Sequence, residues 1–214
     1  MENLPMLRVH LSILLAGVGL LATFPARCAT PASAYVATLK EGDVELRTYP
    51  VRIVAQVEVS GERDEATEGG FALLAGYFRG ANLPAHGSAS EFPPGPPAAP
   101  GQTMPLPRPM LRTETSFGWR LQMAAPEGAT LQDLPVPGSP RVSLAQLPTQ
   151  AFVATRISGA ADFRSIAPRR RDEEAFAARH GMTVSGPPAI AIYTRPGTVW
   201  VLQRMEILLP VETR

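Results

Sequence analysis

Glu206 is the carboxylate most closely hemmed by apolar residues, in the run Met205-Glu206-Ile207-Leu208. A carboxylate so placed could bind a ligand or act as an acid inside a fold. Outward alternation of a strand, which would leave it in water, explains it equally well. Histidine is confined to His10, His86 and His180, in separate regions of the chain, which does not suit a multi-histidine metal site. His180 stands in Arg179-His180-Gly181, where positive charge and a glycine both suit a helix C-terminus. The block Arg169-Arg170-Arg171 followed by Asp172-Glu173-Glu174 reads as a solvated helix face with local opposite-sign pairs, and Pro168 before it suits a helix start or restart. There is no Gly-x-Ser-x-Gly elbow, no His-Glu-x-x-His and no glycine-rich phosphate loop, so no recognised catalytic arrangement is present in the sequence.

Charge and composition narrow the partners. The chain has 214 residues, 45% of them hydrophobic, enough to bury a sizeable core. Its 20 basic and 19 acidic residues are interspersed and leave a net charge of +1, which offers no footprint for nucleic acid. At the N-terminus, Arg8 and His10 precede the apolar run Leu11 to Phe24, and Ala32-Ser33-Ala34 gives a small-x-small cleavage pattern. Residues 1–34 are therefore expected to be a signal peptide, and the protein to be exported, to a bacterial periplasm. The alternative is an uncleaved anchor, but fourteen residues of helix rise only about 21 Å against roughly 30 Å of hydrocarbon, so no stable membrane insertion is expected once the signal is removed. Cys28 is the sole cysteine; cleavage after Ala34 would leave a mature chain without disulfides or a thiolate ligand.

The elements that must position any site begin near Val44. Val44 and Leu46, then Ile53, Ala55, Val57 and Val59, alternate with polar residues at strand period, with Pro50 marking a bend. Ser60-Gly61 ends the second run, and acidic residues from Glu62 open a helix to about Arg79, with Ala66, Gly70, Leu73, Leu74 and Tyr77 or Phe78 along one stripe. Gly69, Gly70 and Gly76 each weaken that helix by roughly 1 kcal/mol relative to alanine, so either something approaches its backbone closely or packing mainly holds the helix. Residues 84–109 are rich in proline and form a loop. Strands follow at Met110 and at Phe117 to Met123.

A shift of 98 residues superposes Val44, Leu46, Pro50, Ser60 and Gly61 on Val142, Leu144, Pro148, Ser158 and Gly159. Each segment leads into a helix, the second over Asp162 to His180, and then into a strand pair, here Ala189 to Tyr193 and Val199 to Val211. The expected fold class is α+β: duplicated βαββ units, halves about 44–123 and 142–211, forming an eight-stranded, mostly antiparallel distorted barrel with two main helices in one domain over 35–214.

These segments resemble the SOUL heme-binding family. Val44-Glu45-Leu46-Arg47-Thr48-Tyr49-Pro50 resembles its V-E-x-R-x-Y strand, and Val57 to Gly61 leading to Gly70-Phe71-x-x-Leu74-Ala75-Gly76-Tyr77 resembles its first helix, with Asn82 at its G-x-N ending. Leu134-Pro135-x-Pro137, Pro140-Arg141-Val142, Gly186-Pro187-Pro188 and Arg204-Met205-Glu206-Ile207 resemble later motifs. Pro107 departs from a usual threonine, Arg195-Pro196-Gly197 lacks the aromatic of P-P-W, and Met205 replaces an asparagine.

The resemblance implies non-catalytic binding of heme or a related tetrapyrrole, as carrier, buffer or sensor. A flat macrocycle burying roughly 400 Å² gains on the order of 10 kcal/mol before association costs, so micromolar affinity needs no axial bond. On this reading Leu73, Leu74, Tyr77 and Phe78 of the first helix, facing Met104 and Met110, supply the apolar groove; Arg79 and Arg108 supply charges for the propionates; His86 is the better-placed axial candidate, ahead of His180. The alternative is a module for drug-like cations, resembling gyrase-inhibitor-like domains, with Glu206 as the counter-charge. An enzyme acting on a small apolar substrate is a third reading, with no specific residues to carry it.

Overall fold

The structure, a computed structural model, describes residues 35–84, 101–158, 163–196, 198 and 204–212. The expected signal peptide, Cys28, His10, His86 and most of the proline-rich loop lie outside the described residues.

Two strands open the chain, β1 (Val36–Glu41) and β2 (Val44–Tyr49), followed by β3 (Arg52–Val59) and α1 (Arg63–Phe78). The short β4 (Asn82–Leu83) precedes β5 (Met110–Thr115), β6 (Gly118–Ala124) and β7 (Val136–Pro137). The second half runs β8 (Ser143–Leu147), β9 (Gln150–Ser158), α2 (Phe163–Arg179), β10 (Thr183–Val184), β11 (Ala189–Ile192) and β12 (Arg204–Glu212). Pro168 lies inside α2 and neither starts nor restarts it. A proline there removes a single ladder bond early in a helix whose far end is anchored by packing.

Ten strands join in one antiparallel sheet along the path β1-β2-β9-β12-β11-β5-β6-β3-β8, with β10 beside β12. Each half lends its first strand to the other: β2 pairs with β9, and β8 pairs with β3. The registers match, since Tyr49 faces Gln150 and Leu147 faces Arg52, the same pair displaced by 98 residues with the strands exchanged. The halves differ most after their helices, where residues 79–109 separate α1 from β5 but only 180–188 separate α2 from β11.

The eight-stranded barrel expected from the sequence is not found, because the described sheet does not close. Closure would need β2 to meet β8, and the free edge of β2 is taken by β1, whose exposed strand Val36–Glu41 carries little of the apolar alternation that marks the others.

Both helices cover one face of the sheet. The largest core joins Ile53, Val57, Leu121, Met123 and Ile207 to Leu74, Tyr77 and Phe78 of α1. Beneath α2, Phe176 and Ala177 meet Val153, Leu209 and Val211. Gly70 is where α1 comes closest to the sheet: a Cβ there would lie 2.8 Å from Leu121 Cδ2 and 3.3 Å from Val57 Cγ2. At Gly69 nothing lies within 4 Å, so close approach to the backbone holds at Gly70 alone of that pair.

Candidate ligand cleft

The residues expected to form a groove beside α1 are packed into the core. Leu74, Tyr77, Phe78, Met104 and Met110 are all buried, and Leu73 is half-buried against the same cluster. Two loops fold over the helix and fill the space. Met104 N donates to Phe78 O at 2.7 Å, and the Tyr77 hydroxyl donates to Pro135 O at 2.9 Å. Asn82 clamps the first of these loops, its Nδ2 donating to Tyr77 O and Gln102 O while Gln102 N donates to its Oδ1. Arg79 is exposed, and Arg108, also exposed, donates to Tyr193 O at 2.6 Å. His180 is held at the end of α2 by Glu41, 2.7 Å away, and lies 4.6 Å from the Phe176 ring.

Open space lies instead between the two helices. A cleft of about 610 Å³ has Arg63 of α1 on one side and Ile166, Arg170 and Glu174 of α2 on the other. Its floor is apolar sheet and loop: Trp119 of β6, Ile190 of β11, Leu209 of β12, and Pro187-Pro188 from the Gly-Pro-Pro segment. A smaller hollow of about 270 Å³ shares Arg63, Arg112, Ile166 and Ile190 with it and extends toward Thr67, Arg195 and Met205. An apolar floor with a few charged groups at its edges is the common lining of a small-molecule site.

Arg112 lies where the two hollows meet. It projects from β5 between Leu121 and Ile190, its partners in register on either side, and is only 8% exposed. Its Nη1 donates to the Thr67 hydroxyl at 2.9 Å, and its guanidinium carbon lies 5.3 Å from the Trp119 ring centre. Nε is buried without a hydrogen-bond partner. Burial pulls the guanidinium down to about 10, with neighbouring Arg63 adding to the effect and Asp64 opposing it. It is still a cation at neutral pH. Sequence reading passed over this residue, although its parity with Met110, two positions earlier on the strand, places both on the covered face.

Glu206 points to the opposite face of the sheet and is also buried. Arg47 Nη1 donates to its Oε2 at 2.6 Å, the Tyr193 hydroxyl to the same oxygen at 2.8 Å, and Arg156 Nε to Oε1 at 3.3 Å. Burial by itself would raise the Glu206 carboxyl, but Arg47, with Tyr193 and Arg156, holds it below the ordinary carboxylate value. Around this group lie Tyr49, Phe152 and Leu208, with Tyr35 stacked 4.3 Å from the Arg47 guanidinium. The carboxylate therefore already holds a cation supplied by its own chain.

The basic and acidic block of α2 divides in two. Arg170 pairs with Glu174 at 2.8 Å across one turn, as expected of a solvated face. Glu173 does not share that fate: it is fully buried, one turn before Phe176 and Ala177, on the side of α2 that meets the sheet. Neither carboxylate oxygen has a hydrogen-bond partner in range, and burial pushes the acid up to about 8. Among the described residues no cluster of three or more His, Cys, Asp or Glu could hold a metal ion, and no helix is long and apolar enough to cross a membrane.

A family model described as SOUL heme-binding protein matches residues 30–210. Among solved structures, a hydrolase from Listeria innocua is similar at 15% identity and a TM-score of 0.54, covering 81% of this chain and 94% of its own. The EcmrR C-terminal domain is similar at 12% identity and a TM-score of 0.51, covering 84% of this chain and 99% of its own. At these identities the likeness is one of fold. No curated protein matches the chain.

Proposed function

Because the chain belongs to the SOUL heme-binding protein family, we propose that it binds heme or a related tetrapyrrole without turning it over, in the cleft between α1 and α2. The observation that carries this reading is the cleft itself, about 610 Å³ with an apolar floor and arginines around it. Trp119, Ile166, Ile190 and Leu209 would lie against the ring, and Arg63 and Arg170 stand where acid substituents could reach them. The bound group would supply its own electronic chemistry. The protein's part is to exclude water and hold the ring. The α1 groove read from the sequence is replaced in this proposal, since core packing fills it. The repeated strand order supports an origin by duplication, and the N-terminal pattern of residues 1–34 supports export, so the role proposed is that of a periplasmic carrier, buffer or sensor.

Titrating the full chain with hemin tests this directly. A Soret shift that saturates near one equivalent is expected, with the porphyrin recovered unchanged after incubation. No spectral change would sink the reading, and degradation of the ring would replace it with an enzymatic one. The cation-binding alternative has less support, because Arg47 occupies the position beside Glu206 that a cationic ligand would need.

A further inference from the structure

Arg112 is the group in the cleft whose placement the fold alone does not explain. A buried guanidinium is normally matched by a carboxylate, since an uncompensated charge is costly to remove from water. Here no described carboxylate makes a salt bridge to it. Asp64 is engaged by Arg63 at 2.7 Å and Glu174 by Arg170 at 2.8 Å. Glu114, two residues along the same strand, lines the cleft without pairing to Arg112. The hydroxyl of Thr67 satisfies one nitrogen, the Trp119 ring faces the cation, and Nε is left orphaned. Those neighbours orient the guanidinium at the junction of two hollows without neutralising it.

Resting on the reading of the cleft as the ligand site, we infer that Arg112 is an interior anion seat, so that the ligand is an apolar acid whose carboxylate docks against Arg112 while its hydrocarbon body lies over Ile190 and Trp119. The seat lies on the covered face of the sheet, which distinguishes it from the exposed arginines Arg79 and Arg108. It selects for an acid group at the inner end of the molecule. A neutral ligand of equal shape would leave the guanidinium desolvated and unpaired.

Comparison of protoporphyrin IX with its dimethyl ester on the full chain tests this, with dodecanoate against its methyl ester as a second pair. The acids are expected to bind on the order of tenfold tighter than the esters, and Arg112→Met to abolish the difference while Arg112→Lys keeps part of it. Equal binding of acid and ester porphyrins would overturn the anion seat and leave tetrapyrrole binding standing. Binding of dodecanoate but of no porphyrin, with the preference lost in Arg112→Met, would uphold the seat and remove the tetrapyrrole. Binding of neither acid would overturn both. A preference for acids that survives in a folded Arg112→Met variant would also overturn the seat. The acid and ester comparison needs no variant, so it decides the question even if Arg112→Met does not fold.

Discussion

Arg47 and Glu206 meet at 2.6 Å although 159 residues separate them, and each side chain is only 1% exposed. The contact exists because β2 leaves its own half to pair with β9, which brings Arg47 against the second half's last strand. In the first half, Glu58 and Arg120 face each other across β3 and β6 at 2.7 Å, but in water.

That contrast gives a first expectation. Arg47→Ala should cost about 3 kcal/mol in urea unfolding, because it leaves a buried carboxylate with only Tyr193 and the longer Arg156 contact, whereas Arg120→Ala should cost about 1 kcal/mol or less. Equal costs would mean that the buried pair is not what ties the halves together. Glu206 also sets an acid dependence. Its folded value lies below the ordinary carboxylate value, so its stabilisation is present above the unfolded value and disappears as pH falls through the folded one.

Glu173 acts with the opposite sign. Its acid is pushed up to about 8 in the folded protein, so below 4.5, where both states are protonated, it costs nothing. Between 4.5 and about 8 the unfolded chain ionises while the folded one keeps its proton, and stability falls as pH rises. Glu173→Gln should therefore stabilise the protein at pH 7.5, by on the order of 4 kcal/mol, and make little difference at pH 4. A pH series of unfolding curves for the two proteins checks this; parallel curves would show that Glu173 ionises normally.

The family strands were legible because their apolar alternation is strong, and the helices because each follows a Ser-Gly stop displaced by 98 residues: α2 begins at Phe163, one residue from its expected start. Strand β1 was not legible, since an exposed edge strand leaves no apolar pattern, and it is this strand that occupies the edge needed for barrel closure. The site was harder to read. Leu74, Tyr77 and Phe78 carry the same signature whether they line a groove or fill a core, and only the loops that return at Met104 and Pro135 decide which. Glu173 was hidden in a charged run, where composition spoke for solvent and helical phase with Phe176 spoke for burial.

Adjacent glycines in α1 should respond in opposite ways. Gly70→Ala forces a Cβ to within 2.8 Å of Leu121 and should destabilise by about 1–3 kcal/mol. Gly69→Ala meets nothing and should stabilise by about 0.5–1 kcal/mol through helix propensity. Thermal unfolding of the two variants checks both; stabilisation by Gly70→Ala would mean that α1 rides farther from the sheet than this packing shows.

Two substitutions separate the interhelix cleft from the α1 groove as the tetrapyrrole site. Ile166 is half-buried on α2 and lines both hollows, so Ile166→Asp sets a carboxylate against the ring face without emptying the core. Leu73 is half-buried on α1 and packs against the α1 core, but it lines neither hollow. Hemin affinity should fall on the order of tenfold in Ile166→Asp, because the charge must be desolvated beneath an apolar ring, and stay within about threefold in Leu73→Ala. The reverse pattern, in variants whose circular dichroism matches the parent, would return the site to the α1 side and would mean that the loops at Met104 and Pro135 open to admit the ligand.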